Sequence, residues 1–315
     1  MSKQPQVGIS SCILGENVRY DGGAKTNKWV VDQLANYVEL KGFCPEVSMG
    51  MGIPRKPIRI VEDNGSFRLI ESSPAATDFT EIAEADFKKN YSNFIGLDGY
   101  IFMKDSPSCG PDRVKVYQPG KDSHAKREGS GLFYKFINEN FPHLPYIDSG
   151  RLNNLPLREN FIKKVYIHHK FYTEVNSISE LQKFHQHYKY TLMEYHPSAP
   201  QKLGLIASEV GSGDFEKTKD NYAKLLFEVI ENPSNGKYRK NVMYHVMGYF
   251  KNDLNEIEKQ QLLELIEEYD NDLIPYISII NMLSFFVTKY EKKYLLTQHY
   301  FEPYPKTMKL LMAIS

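Results

Sequence analysis

The chain has 315 residues with 39 basic and 39 acidic side chains, 41% hydrophobic and 25% charged residues, and three cysteines. With 18 Phe and 22 Tyr, this excludes a disordered chain and supplies a core for one large domain or two of ordinary size. The charge balance excludes crude electrostatic attraction to nucleic acid but leaves room for local basic patches. No run of about eighteen apolar residues occurs, so no membrane span is expected. The opening Met-Ser-Lys-Gln-Pro-Gln has no apolar signal-peptide core, and a reducing cytoplasm is the expected setting.

In chain order, Gln6–Ser10 reads as a short strand running into Ser11-Cys12, followed by a Gly-rich loop through Asp21-Gly22-Gly23. Thr26 stands where it would cap a helix with Val30, Val31, Leu34, Tyr37 and Val38 on one face. Gly42 is expected to end that helix, and Phe43 leads into Cys44. Ile58–Val61 and Phe67–Ile70 flank Asp63-Asn64-Gly65, which predicts a hairpin. A helix over about Asp78–Tyr91 and a buried strand over Tyr100–Met103 follow, then the loop Lys104–Gly110, a strand over Val114–Tyr117 and a helix over Leu132–Asn140. This β/α alternation predicts an α/β, Rossmann-like N-terminal domain with a mainly parallel sheet over residues 1–154.

Residues 155–315 change texture and predict an all-α C-terminal domain, giving a two-domain chain. Ser179 and Gln182 form a capping-box pattern ahead of Phe184, Tyr188 and Leu192. Tyr222, Leu225, Leu226, Val229 and Ile230 form a helical face stopped by Asn232-Pro233. Asn255 and Glu258 form a second capping box, and Pro275 precedes a helix over Ile277–Phe286.

The cysteines carry the first chemical signal. Cys12, Cys44 and Cys109 are 32 and 65 positions apart, which matches no zinc-finger or ferredoxin spacing. Each follows a short apolar stretch and opens a polar loop. In a parallel sheet the carboxyl ends of the strands share one edge, so the three can converge there; small buried thiols are the alternative. Three converging thiolates suit a metal centre with one open position: an iron–sulfur cluster, zinc or copper(I). Glu46 in Cys-Pro-Glu is placed for acid/base work near such a centre, and Ser106 and Ser108 offer hydroxyls just before Cys109. Arg19, Asp21, Arg55, Lys104 and Asp105 lie in loops on the same edge, where they could hold a polar or anionic substrate.

These residues sit in recognisable motifs. Gly8 to Gly22 around Cys12, Cys44-Pro45-Glu46-Val47 with Pro54-Arg55, and Ser106-Pro107-Ser108-Cys109-Gly110 together resemble the thiouracil desulfidase (TudS) family. The resemblance covers roughly residues 5–150. It implies a 4Fe–4S cluster on Cys12, Cys44 and Cys109, with the remaining iron open to sulfur from a thiolated pyrimidine. It also implies that Glu46 and Ser108, with Ser106, form the acid/base and substrate-contact neighbourhood. The second half resembles the YbgA-like domain on Arg158-Glu159-Asn160-Phe161, Phe184-His185, His187, Asn241 to Phe250 and Gln298 to Pro305. The fused arrangement resembles desulfidases that remove sulfur from 4-thiouridine in tRNA, giving uridine.

That resemblance makes tRNA an expected partner and the helical domain an expected RNA-binding module. Arg158, Lys163, Lys164, His168 and Lys170 form one basic segment interleaved with aromatics, and Lys237, Arg239 and Lys240 surround Tyr238 in another. A solvated helix face with core aromatics is the competing reading of each patch. His185, His187 and His245 are read as structural or RNA-contacting. Two alternatives stand beside the tRNA enzyme: a desulfidase of free 2-thiouracil or a thionucleoside, and a non-catalytic RNA-binding or oxygen- or sulfur-sensing iron–sulfur protein.

Overall fold

The computed structural model describes residues 3–73, 76–118, 121–208 and 215–310. The chain divides into two compact units, Met1–Asn154 and Leu155–Ser315. In chain order the first holds β1 (Gln6–Ser10), α1 (Lys28–Asp32), β2 (Glu39–Phe43), α2 (Pro45–Ser48), β3 (Ile58–Asp63) and β4 (Ser66–Glu71). It continues with α3 (Thr80–Lys89), β5 (Gly99–Phe102), β6 (Val114–Gln118), β7 (Lys121–Gly129), α4 (Leu132–Asn140) and β8 (Tyr146–Asp148).

Among the described residues the strands form two four-stranded sheets, ordered β2-β1-β5-β8 and β4-β3-β6-β7. Every pairing in the first is parallel. The second is mixed, with β3 parallel to β6 and antiparallel outer pairs. The expected hairpin is β3–β4, closed by Asn64 and Gly65 at φ 51° and 82°. Both residues thus take the left-handed conformation that a tight two-residue turn between twisted strands demands. In the parallel sheet the chain leaves β1 for β2 on one side and later returns to β5 on the other. This reversal opens a crevice at the carboxyl ends of β1 and β5, where ligands of open α/β sheets bind.

The helix expected across Val30–Val38 is a shorter construction. Asn27, not Thr26, caps α1, accepting the Val30 N–H at 3.2 Å. A 3₁₀ turn at Leu34–Asn36 follows, and the chain is already extended by Glu39. Val30, Leu34 and Val38 are buried, but Val31, expected on the same face, is exposed, so the apolar pattern survives only in part. Gly42 ends no helix. It lies in β2, where a Cβ would stand 2.9 Å from Ser11 Oγ and 3.1 Å from Leu14 Cδ1. Its missing side chain lets the end of β2 approach the loop that carries Cys12.

Phe133 of α4 centres the core, with Phe43, Phe87, Phe94 and Tyr100 at ring-centroid distances of 5.0, 5.2, 5.3 and 5.6 Å. Its backbone N–H donates to the Ser108 carbonyl at 2.8 Å, and the Gly131 N–H donates to Gly110 at 2.8 Å. The start of α4 therefore pins the loop bearing Cys109. Gly131 is required there by space alone, because a Cβ would meet the Ser108 carbonyl oxygen at 2.4 Å.

The second unit is helical: α5 (Leu155–Glu174), α6 (Ile178–Tyr195), α7 (Ala199–Ala207), α8 (Phe215–Val229), α9 (Gly236–Met247), α10 (Glu256–Asp270), α11 (Tyr276–Lys289) and α12 (Lys293–Leu296). Asn255 and Glu258 form the expected capping box of α10. The box expected at Ser179 is displaced: Ser177 caps α6 through the Glu180 N–H, while Glu180 accepts the Asn176 N–H at 2.8 Å. Helix α5 is buried almost all round, from Glu159 through Phe171. Among the described residues no helix is long and apolar enough to cross a membrane.

Candidate functional site

A cavity of about 280 Å³ opens at the carboxyl edge of the parallel sheet, between the loops that follow β1, β2 and β5. Cys12, Cys44 and Cys109 all line it, and all three are free thiols. Cys12 lies two residues past the end of β1, Cys44 directly after β2 at the N-cap of α2, and Cys109 in the loop that α4 pins. Burial pushes the Cys12 thiol up to about 12, with smaller contributions from Cys109 and Cys44. Burial, then the Glu46 charge, pushes Cys44 up to about 11. Burial also raises Cys109. A cation bound here must therefore displace protons from the thiols that ligate it.

Two polar chains order the cavity. The first starts at the loop that carries Cys109: the Cys109 N–H donates to Ser106 Oγ at 3.3 Å, Ser106 and Ser108 hydroxyls meet at 3.0 Å, and Ser108 donates to Glu46 Oε1 at 2.5 Å. Because the Ser108 hydrogen goes to the carboxylate, Ser106 must be the donor to Ser108, which gives the chain a direction. The second runs through Ser10, whose Oγ accepts the Met103 N–H at 3.0 Å and lies 3.4 Å from Cys109 Sγ. Ser10 is buried at the end of β1. The sequence reading missed it, although its place next to Ser11-Cys12 was the signal that could have found it.

Glu46, Ser106, Ser108, Arg19, Arg55, Lys104 and Asp105 line the cavity as well. Arg55, expected to contact substrate, is paired instead with Glu46 Oε2, and its side chain is only 4% exposed. Asp105 pairs with Arg127 at 3.3 Å, and Lys104 reaches Asp105 at 3.9 Å. Arg19 lies 3.5 Å from Asp21. Asp21 itself is not part of the cavity lining; it is a turn residue that accepts the Gly23 N–H at 3.0 Å, which lowers its carboxyl.

The basic patches of the second unit need correction. Lys163 is buried and held by Glu159 at 3.1 Å and by the two Glu194 oxygens at 3.1 and 3.3 Å. Arg239 bonds Glu194 at 2.8 Å and Glu159 at 3.3 Å, and lies 4.5 Å over the Tyr276 ring. These two cations neutralise two carboxylates inside the unit and offer nothing to a phosphate. Lys164 is buried against the Glu231 carbonyl at 3.2 Å, and His168 is buried against Tyr172 and Phe227. Lys170 pairs with Glu174 at 3.0 Å, and Lys240 pairs with Asp270. Lys237 is exposed and Arg158 half-buried. His185 meets the Tyr222 hydroxyl at 3.1 Å, a structural role.

Among the described residues no three His, Cys, Asp or Glu side chains close around a single ion. The donors of the cavity are three buried or half-buried thiols and the carboxylates of Glu46 and Asp105, with no histidine in the lining. Glu46 is held by Arg55 and Ser108 and Asp105 by Arg127, and the three thiols fit an iron–sulfur group.

An α/β sheet with a three-thiol cavity at its carboxyl edge is the class of site that the fold defines. Residues 7–149 match the family described as 2-thiouracil desulfurase, and residues 189–305 match a family described as a protein of unknown function, DUF1722. The uncharacterised protein YbbK of Bacillus subtilis is 29% identical over 148 residues, 42% of this chain and 94% of its own length. The uncharacterised protein YbgA of Escherichia coli is 25% identical over 128 residues, 40% of this chain and 76% of its own length. A solved structure of a [4Fe-4S]-dependent thiouracil desulfidase, TudS, is 23% identical and covers 50% of this chain and 98% of its own, with a TM-score of 0.39.

Proposed function

We propose that this chain is an iron–sulfur-dependent desulfidase of thiolated uracil, with 4-thiouridine in tRNA as its substrate and uridine as the product. The observation that carries the reading is that one cavity gathers every cysteine of the chain with Glu46 and Ser108, inside the segment that matches the 2-thiouracil desulfurase family. The net reaction is hydrolysis: a thiocarbonyl and water give a carbonyl and hydrogen sulfide, with no change of oxidation state. Cys12, Cys44 and Cys109 would hold a 4Fe–4S cluster. When bound, that group supplies a soft Lewis acid for the thiocarbonyl sulfur.

The protein's own residues manage water and protons. Glu46 takes the proton of the attacking water, and its carboxylate is already aligned by Ser108. Glu46 then gives that proton up, through the Ser106–Ser108 hydroxyls, to the leaving sulfur, and the second hydrogen of the water follows as the carbonyl forms, so both end on hydrogen sulfide. The half-buried setting of Glu46 keeps bulk water from competing for it. The choice of tRNA over a free base rests on the resemblance of the fused arrangement to tRNA 4-thiouridine desulfidases. Of the basic residues expected to contact RNA, Lys237 is exposed and would meet its phosphates.

Anaerobic reconstitution with iron and sulfide, followed by assay on 4-thiouridine-containing tRNA and on 2-thiouracil, tests the reading. Conversion of tRNA supports it. Conversion of 2-thiouracil with tRNA untouched removes the RNA substrate, and no conversion of either by loaded protein removes the enzyme. Glu46→Gln should keep the cluster and lower kcat by about 10²–10⁴-fold, the usual effect of losing a general base; retained turnover eliminates Glu46 in that role.

A further inference from the structure

Arg55 lines the cavity, yet three of its five guanidinium hydrogens are held by the protein itself. Nη2 donates to the Val18 carbonyl at 2.9 Å and to Glu46 Oε2, which uses both of its hydrogens. Nη1 donates to the Gly52 carbonyl at 3.1 Å. Its backbone N–H is also fixed, to the Tyr20 carbonyl at 2.9 Å. A cation that is 4% exposed, with its charge opposed by a carboxylate, has little left to offer a substrate anion.

The same contacts divide the labour of Glu46. One carboxylate oxygen goes to Arg55 and the other to Ser108. A quarter-turn of the carboxylate would break both bonds, so the guanidinium fixes the plane in which the group meets the serine chain. A lysine in this position could present a point charge but not this fork.

We propose that Arg55 is the positioning residue of the site: it orients Glu46 toward the Ser106–Ser108 chain and acts through that carboxylate, not on the substrate. The inference rests on the desulfidase reading for its kinetic consequence, while the hold on Glu46 is independent of it.

The test compares wild type, Arg55→Gln and Arg55→Lys, each reconstituted anaerobically, with 2-thiouracil as the probe alongside thiolated tRNA. Iron content, equilibrium binding of 2-thiouracil and KM should stay within about threefold of wild type, and kcat should fall about 100-fold in Arg55→Gln, the scale of a misaligned acid/base group. Arg55→Lys should recover part of kcat, and it serves as the second variant where Arg55→Gln fails to fold. The carboxylate infrared band of Glu46, assigned by difference against Glu46→Gln in metal-free protein, should shift in both variants. A loss of binding with kcat kept would make Arg55 a substrate contact. A loss of iron uptake parallel to kcat would make it a clip for the ligand loops. An unmoved Glu46 band would overturn the proposal. If wild type desulfurates neither probe, the desulfidase reading fails, and the infrared band still decides whether Arg55 orients Glu46.

Discussion

Both units of this protein are built around a carboxylate held by a guanidinium, and the two constructions differ in what surrounds them. In the first unit Glu46 and Arg55 line a cavity, and one carboxylate oxygen faces a serine hydroxyl. In the second, Glu159 and Glu194 are closed in by Lys163 and Arg239, with Ser234 and Tyr304 taking further bonds. Two cations and two anions cancel there. The same functional groups therefore line a cavity edge in one unit and close a core in the other. Burial with full pairing is what separates the two uses.

The comparison breaks most easily at the closed network. Arg239→Met should leave a buried carboxylate uncompensated and destabilise the second unit by about 3–5 kcal/mol, measured by urea unfolding. Glu46→Gln takes the counter-charge from the Arg55 guanidinium, which is 4% exposed, but keeps an amide oxygen to accept its bond, and should cost the first unit less, about 1–3 kcal/mol. Equal losses in both units would end the distinction between a reactive and a structural pair.

A smaller effect is expected at the loop that α4 pins. Gly131→Ala places a methyl group against the Ser108 carbonyl and should cost about 1–3 kcal/mol through overpacking. Iron uptake should fall with it, because the same loop carries Cys109, and wild-type iron stoichiometry in a destabilised variant would separate the loop from the site.

Acidity offers the finest contrast. Cys12 and Cys44 have folded values raised from 9.0 to about 12 and about 11, so their contribution to the metal-free first unit is complete below pH 9 and is lost as pH rises through 11 to 12. His299 is depressed from 6.5 to about 4 by burial, then by Lys170 and His187, so its contribution is present above pH 6.5 and is lost as pH falls toward 4. Trp29, the single tryptophan, reports the first unit, and helical circular dichroism is weighted to the second. The Trp29 signal should begin to weaken above pH 9, ahead of the helical signal, whose buried and raised tyrosines such as Tyr188, Tyr222 and Tyr276 respond only above pH 10; on the acid side the helical signal should begin to weaken first, below pH 6.5. Cys12→Ala and His299→Gln should each flatten their own limb.

What was legible in the sequence followed from local rules. The Asn64-Gly65 turn, the apolar run before Lys104 and the Asn255–Glu258 cap each carry their structural cause within a few residues. The convergence of the cysteines was legible because parallel strands put their carboxyl ends on one edge. What was hidden depended on distant partners. Lys163 looks like a surface cation until Glu194, 31 residues away, is placed beside it. Arg55 looks like a substrate contact until Glu46 Oε2 takes its charge. The apolar spacing of Val30 to Val38 fits a helix, but a 3₁₀ turn at Leu34–Asn36 and a strand from Glu39 replace its second half, and Val38 is buried where that strand begins.

Helix α5 also imposes an order in time. It opens the second unit, yet Glu159 receives the Tyr304 hydroxyl, 145 residues later, at 3.1 Å. A chain emerging from the ribosome builds this helix early and cannot finish its neutral core until the end of the unit has been synthesised. For the interval between, a helix designed to be enclosed on every side must wait with its charges and apolar surface still open to solvent. The stretch from Gln298 to Pro305 is thus a latch on the beginning of its own domain, and a nascent chain stopped short of Tyr304 should behave as an unfinished core rather than as a trimmed one.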